Sequence, residues 1–155
     1  MKLLLATDGS AHSKAAVEEI AGRPFPPKTS VRIISVIDRA ALTRIMGPLG
    51  GLSEYYAEVD RNAIKSAEDA IENAAKLLRK KNTMLSVTTA VIEGSPKSAI
   101  IEYAEKYGAD LIVVGSHGYG AVERFMLGSV SHAVSLHAKC SVEIVRIKNI
   151  RKNKK

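Results

Sequence analysis

A single cysteine, Cys140, denies this chain an intramolecular disulfide and any multi-cysteine zinc site, a usage that suits a reducing compartment. Long apolar runs are missing too. Asp8 cuts the run that starts at Leu3 below the ~7–15 residues of a signal-peptide core, and no stretch approaches the ~20 of a membrane helix. The expected address is therefore cytoplasmic, with no membrane partner. Proline and glycine are modest at 5 and 11 residues against 46% hydrophobic and 25% charged, which excludes collagen-like and disordered chains. The net charge of +7 resembles a nucleic-acid footprint until it is located. Lys148, Arg151, Lys152, Lys154 and Lys155 hold five of the 23 basic residues, and no acid follows Glu143, so residues 1–147 carry 18 basic against 16 acidic side chains. The excess is a basic tail, read as solvated, and nucleic acid is not an expected partner.

At 155 residues the chain suits one domain that buries roughly 70% of its unfolded surface. We expect a domain over 1–147 and a tail over 148–155. Leu3-Leu4-Leu5-Ala6 and Leu111-Ile112-Val113-Val114 are near-continuously apolar, as in parallel strands covered on both faces. Val31 to Ile37, Leu85 to Ile92 and Val142 to Ile147 mix in polar residues and read as strands nearer the edges. Between them lie helical patterns: Ser10 as N-cap of Ala11 to Ala21 with Gly22 as stop, an amphipathic stretch from Ser53 to Lys81, Ser95-Pro96 opening a helix closed by Gly108, and Ser129 to Ala138. The Ser53 to Lys81 stripe of Tyr56, Val59, Ala63, Ala67, Ala70, Ala74 and Leu78 is expected to face the core. Arg39 to Leu52 reads as an irregular loop, open to the roles of lid, partner-docking loop or plain connection. The order βαβαβαβαβ with right-handed crossovers gives an α/β fold: a single doubly wound five-stranded parallel sheet, Rossmann-like. With the first and fourth strands central, the strand order reverses between them, and a ligand is expected at the loops after Ala6 and Val114.

After the fourth strand the chain runs Val114-Gly115-Ser116-His117-Gly118-Tyr119-Gly120, then reaches Gly128-Ser129-Val130. The glycines are expected to adopt left-handed conformations and to let the backbone approach a ligand. The helix opening at Ser129 presents free N–H groups and a hydroxyl to an anion, a phosphate above all. No Walker lysine follows, and Glu123 stands where a dinucleotide fingerprint would need a third glycine.

The spacing Gly115-x2-Gly118-x9-Gly128-Ser129, with Leu4-Leu5-Ala6-Thr7-Asp8-Gly9-Ser10 and Val36-Ile37-Asp38, resembles the universal stress protein family, in its ATP-binding subgroup, over essentially residues 1–147. Ala6 and Ser141 stand where many relatives carry proline. The resemblance implies ATP as cofactor, with Mg²⁺ or Mn²⁺, a homodimer through the C-terminal strand, and a stress-response regulatory role as nucleotide sensor rather than enzyme. At most, slow ATP hydrolysis is expected. The alternatives are a small ATP-using enzyme and a nucleotide-free interaction module. The implied binding residues are Ala6, Thr7, Asp8, Val36, Val114, Gly115, Ser116, His117, Gly118, Gly128, Ser129 and Val130, with Asp8 at the nucleoside, Val36 at the adenine and the glycines at the phosphates. Asp8 also reads as a helix-entry cap, His117 as packing within the loop, Arg124 as phosphate ligand or solvated arginine, Ser131 as a weaker candidate than Ser129, and Cys140 as a small buried hydrophobe.

Overall fold

Strand β1 (Lys2–Ala6) is short and apolar because it is covered on every side: Leu3, Leu4 and Leu5 are wholly buried. The computed structural model describes residues 1–46, 53–118 and 126–147. Over these the chain continues through α1 (Ala11–Gly22), β2 (Ser30–Ile37), α2 (Arg39–Met46), α3 (Ser53–Lys81), β3 (Ser86–Glu93), α4 (Pro96–Tyr107), β4 (Leu111–Gly115), α5 (Ser129–His137) and β5 (Ser141–Val145). The five strands form one parallel sheet in the order β3-β2-β1-β4-β5. Strands β1 and β4 are thus the inner pair, in register through Leu3 with Leu111 and Leu5 with Val113, and the order reverses between them.

Alternation along each strand divides the core. Leu3, Leu5, Ile33 and Val113 pack with Val17 and Ile20 of α1 and Ile71 and Leu78 of α3. Leu4, Ala6, Ile34, Ile112 and Val114 pack with Ile100 of α4 and Val134 of α5. Along α3, Ala67, Ala74 and Leu78 are buried as the stripe predicts, joined by Ile71 and Ala75, whereas Tyr56, Val59, Ala63 and Ala70 are half-buried. Among the described residues, no helix is long and apolar enough to cross a membrane.

One expectation needs refining and two need correcting. Strand β2 lies next to the edge strand β3 yet is enclosed: Val31, Ile33 and Ile34 are fully buried, and its Arg32 is accommodated by Tyr103, whose hydroxyl accepts from the guanidinium at 3.0 Å, and by the ring of Tyr107. Gly22 does not stop α1 by a left-handed turn; it is the last helical residue, and Arg23 leaves in extended conformation with φ −97°. The Arg23 guanidinium then grips Glu143 of β5 by two 2.7 Å bonds and Glu19 at 3.1 Å, carboxylate contacts that raise its pKa further. Finally, residues 39–46 form a helix where an irregular loop is expected. Asp38 caps it by accepting from the Ala41 N–H at 2.8 Å, and Arg39 ties it to Asp60 of α3 and Glu93 of β3, both at 2.9 Å. The rest of that segment, 47–52, lies outside the described residues, as do Arg124 and the tail from Lys148.

Cys140 sits half-buried against the α4/α5 face of the sheet, and burial pushes its thiol pKa up. The thiolate fraction near neutral pH is accordingly reduced. Alkylation of the folded chain by iodoacetamide at pH 7.5 is expected to run slower than that of a free cysteine and to accelerate as pH rises. A rate equal to the free amino acid's, followed by mass spectrometry, would contradict this placement.

Candidate functional site

Where β1 runs out, the chain turns sharply into α1. Gly9 takes φ 81°, a conformation that suits glycine, its N–H donates to Thr7 Oγ1, and the Ser10 N–H donates to Asp8 Oδ1 at 2.9 Å. Ser10 then caps α1 by accepting from the Ser13 N–H. Thr7, Ser10 and Ser13 form a buried hydroxyl cluster in which Thr7 Oγ1 reaches Ser13 Oγ at 3.0 Å. Asp8 therefore shapes the helix entry and also lines the cleft beyond β1.

The loop after β4 meets this turn from the other side. None of Gly115, Gly118 and Gly128 is left-handed; among the described glycines the positive φ values belong to Gly9, Gly94 and Gly108. What marks the three is close approach, to backbone atoms at Gly115 and Gly128 and to the end of a side chain at Gly118. A Cβ at Gly115 would lie 2.6 Å from the carbonyl carbon of His12, one at Gly118 2.8 Å from Asp8 Oδ2, and one at Gly128 3.1 Å from both His117 Cα and the Ser116 carbonyl oxygen. The loop is closed at its base, where the Gly128 N–H donates to Ser116 O at 2.8 Å and Ser131 Oγ lies 2.9 Å from both Ser116 O and Gly128 O. The Ser131 hydroxyl is thus committed to holding the loop, whereas Ser129 opens α5 exposed.

Between the two loops lies a cleft of about 500 Å³ at the carboxyl ends of β1, β2 and β4, on the α4/α5 side. One wall is apolar, built by Ile34, Val36, Pro96, Ile100, Val114 and Val130; the other is polar, with Thr7, Asp8, Ser13, His117, Ser129 and Ser131 beside the loop glycines. A volume of this size suits a small-molecule site. Of the residues expected at the site, Ala6, Thr7, Asp8, Val36, Val114, Gly115, His117, Gly118, Gly128, Ser129 and Val130 line the cleft. Ser116 does not: it is buried behind the wall, with its hydroxyl 3.0 Å from His117 Nδ1. Sequence reasoning missed Ile34, two residues before Val36 on the same strand face, Pro96 and Ile100, one helical turn apart on α4, and Ser13. The alternation of β2 and the i, i+4 spacing on α4 were the available signals.

A parallel sheet whose strand order reverses at a cleft of this kind defines a class, the open α/β domains that take ligands at the carboxyl ends of their strands. Comparison with known proteins narrows it. A model of the universal stress protein family matches residues 1–146. The universal stress protein YxiE of Bacillus subtilis is 33% identical over 151 residues, an alignment covering 94% of this chain and 98% of that one. Universal stress protein UspA from Lactobacillus plantarum shares the fold with a TM-score of 0.77 at 26% identity, over 94% of this chain and 97% of its own. A universal stress protein in complex with cAMP gives a TM-score of 0.56 at 25% identity, over 94% and 96%. The chain belongs to the universal stress protein family.

Proposed function

We propose that the cleft binds ATP and that the protein works as a nucleotide-occupied regulator in stress responses. The observation that carries this is that the loop glycines and Asp8 meet at one cleft: both Gly118 and Asp8 line it, and a Cβ at 118 would fall 2.8 Å from Asp8 Oδ2, so the bare backbone leaves room there. The nucleotide complex of a related structure supports the same reading. The residues fit the group. Ile34, Val36 and Ile100 offer an apolar slot for a base, Asp8 an acceptor for ribose hydroxyls, Gly118 and Gly128 room for phosphates, and Ser129 a hydroxyl donor to them. The first N–H groups of α5 cannot be bonded within the helix and favour negative charge. Among the described residues no group of three or more His, Cys, Asp or Glu side chains could hold a metal. A Mg²⁺ or Mn²⁺ ion would therefore arrive with the triphosphate, which it would charge-compensate, with Asp8 as the carboxylate in the cleft. Chromatography of nucleotide released on denaturing the purified protein, together with calorimetry, tests the reading. ATP in the supernatant or heat of binding is expected; an empty protein that gives no heat with millimolar ATP would overturn it.

Turnover is expected to be slow, below the ~1 s⁻¹ of ordinary enzymes. Phosphoryl transfer needs a group that orients the attacking water, and among the described residues lining the cleft no lysine or second carboxylate joins Asp8. Steady-state phosphate release with Mg²⁺ checks this, and a rate well above 1 s⁻¹ would favour the ATP-using enzyme instead.

The same reading includes a homodimer through β5, an edge of the sheet. Val145 turns its carbonyl toward the β4 side, where it accepts from the Ser116 N–H, so the preceding Ile144 directs its own N–H outward. Ile144→Pro removes that outward donor and leaves the pairing to β4 in place. Light scattering is expected to give a dimer for the unmodified chain and a monomer for the variant; a monomer for both would refute the interface.

A further inference from the structure

The end of the sheet opposite the cleft carries a charge that the total conceals. All five strands are parallel, so their starts share that end, and the turns there are bonded in a row. The Ser86 N–H donates to Thr29 O at 3.2 Å, the Ser30 N–H to Met1 O at 2.9 Å and the Asp110 N–H to Lys2 O at 2.8 Å. The Asn82 side chain ties the end of α3 to the same row by donating to Arg23 O at 3.1 Å. On this face stand Lys2 of β1, Lys28 of the turn into β2, Arg79, Lys80 and Lys81 at the close of α3, and Lys106 in the last turn of α4, all exposed. Beside them Met84 is 74% exposed and Met1 40%.

Among the described residues none of these six cations forms an ion pair. The acids of this end are engaged elsewhere: Asp110 accepts from the Lys2 backbone N–H at 2.6 Å, Glu105 pairs with Lys139 at 3.1 Å, and Glu19 and Glu143 both hold Arg23. Glu102 stands more than a turn before the end of α4. Residues 1–147 hold 18 basic and 16 acidic side chains, so with the six set aside 12 basic residues remain against 16 acidic ones. The near-neutral domain is thus basic at one end and carries its acidic excess over the rest. Helix ends favour cations, which accounts for Lys106 and for Lys2, whose Nζ donates to Tyr107 O at 3.1 Å. It does not account for Lys28, held in a turn at φ 62°, a conformation that lysine rarely adopts.

We propose that this face docks the protein on an anionic lipid surface, with the six cations over the headgroup phosphates and Met84 reaching toward the acyl boundary. Among the described residues no helix could span a bilayer, but lying on one needs no span. Opposite charge alone would suit any polyanion. What selects lipid is the company the charges keep: two exposed methionines, which are unbranched and apolar, among five lysines and one arginine. Nucleic acid is instead clasped by arginine forks and aromatic rings that stack on bases. Lysine stems can lie along an apolar boundary while their ammonium groups stay among the headgroups. Each Lys or Arg held near an anionic leaflet strengthens binding by about fivefold, an attraction that fades within a Debye length. The cleft opens at the other end of the sheet, so a docked chain turns it toward solvent, and the proposal does not rest on the ATP reading.

The test is co-sedimentation of the full chain with phosphatidylcholine vesicles containing about 30% phosphatidylserine, at about 0.1 M and about 0.5 M salt. Two fourfold variants lose the same charge. One alters the face by Lys28→Asn, Lys80→Gln, Lys81→Gln and Lys106→Gln, and spares Lys2 and Arg79 because both bond backbone carbonyls. The other alters exposed cations elsewhere by Lys14→Gln, Arg61→Gln, Lys65→Gln and Lys97→Gln. The unmodified chain is expected to sediment with these vesicles at the lower salt, and neither at the higher salt nor with phosphatidylcholine alone. The face variant is expected to bind roughly 100-fold more weakly or worse, and the other to stay within about threefold of the unmodified chain. Met84→Ser is expected to weaken binding several-fold with the charge unchanged. No sedimentation of the unmodified chain would overturn the proposal. Equal losses in the two fourfold variants would do the same, since net charge or the shared basic tail would then carry the binding. Tighter binding to a nucleic-acid duplex, unaffected by Met84→Ser, would overturn it in favour of nucleic acid.

Discussion

Gly115→Ala is expected to destabilise the fold by about 3 kcal/mol or more, the upper end of overpacking penalties. The added carbon would lie 2.6 Å from the His12 carbonyl carbon and 2.7 Å from both His12 O and Ser13 N, all backbone atoms. Neither partner can withdraw cheaply. Strand β4 is bonded on one side to β1 and on the other to β5, and α1 is fixed by its Ser10 cap and by Ala16, Val17 and Ile20 in the core. At roughly 2–4 °C per kcal/mol for a chain of this size, thermal unfolding should fall by about 6–12 °C or more. Gly118→Ala makes the informative contrast. Its added carbon would meet Asp8 Oδ2 at 2.8 Å, the end of a side chain that can rotate, so stability should change little while nucleotide affinity falls. Urea denaturation of both variants decides the matter: a loss below about 1 kcal/mol for Gly115→Ala would show that α1 is free to shift.

The second large effect concerns Asp8. Under the ATP reading its carboxylate accepts from the nucleoside, and a hydrogen bond to a charged group is worth ~1.5–3 kcal/mol, or one to two decades in affinity. Asp8→Ala also removes the acceptor of the Ser10 N–H, which should cost the fold about 1 kcal/mol. Asp8→Asn keeps an oxygen for that N–H and removes only the charge. We expect both variants to lose roughly 10- to 100-fold in ATP affinity and only the alanine variant to lose stability. Unchanged calorimetric affinity in Asp8→Asn would remove the carboxylate from the ligand contacts and leave it as the organiser of the turn.

How much of this was legible in the sequence depended on whether the signal was local. The inner strands announce themselves through unbroken apolar runs, and Ser95-Pro96 with Gly108, at φ 69°, marks both ends of α4. The loops at the reversal point followed from strand order alone. Partners distant in sequence left no trace. Arg32 makes β2 look peripheral because Tyr103 and Tyr107, which receive it, belong to a helix some seventy residues on. His12 reads as an ordinary helix residue because its partner is His117. The glycines at 115, 118 and 128 signal left-handed turns or close approach, and the pattern alone does not say that close approach is the reason, nor to which neighbour. Helix α2 was missed although Asp38 caps it, because the glycines and proline just beyond dominate the segment.

The placement of β1 has a consequence for how the chain is made. A polypeptide that emerges from its first residue can pair β1 with β2 and β2 with β3 early, giving half a sheet with one flank of β1 open. That flank is an apolar edge until Leu111 to Val113 arrive, more than a hundred residues later, to close it. Docking of β4 is the long-range, slow kind of contact, and until it happens the half-sheet is a template for unwanted pairing. The cleft straddles this seam, with Asp8 and Val36 on the early side and His117 and Ser129 on the late one. A ligand held there would bind only the closed chain, so its free concentration would draw the two halves together during biosynthesis as well as in the finished protein.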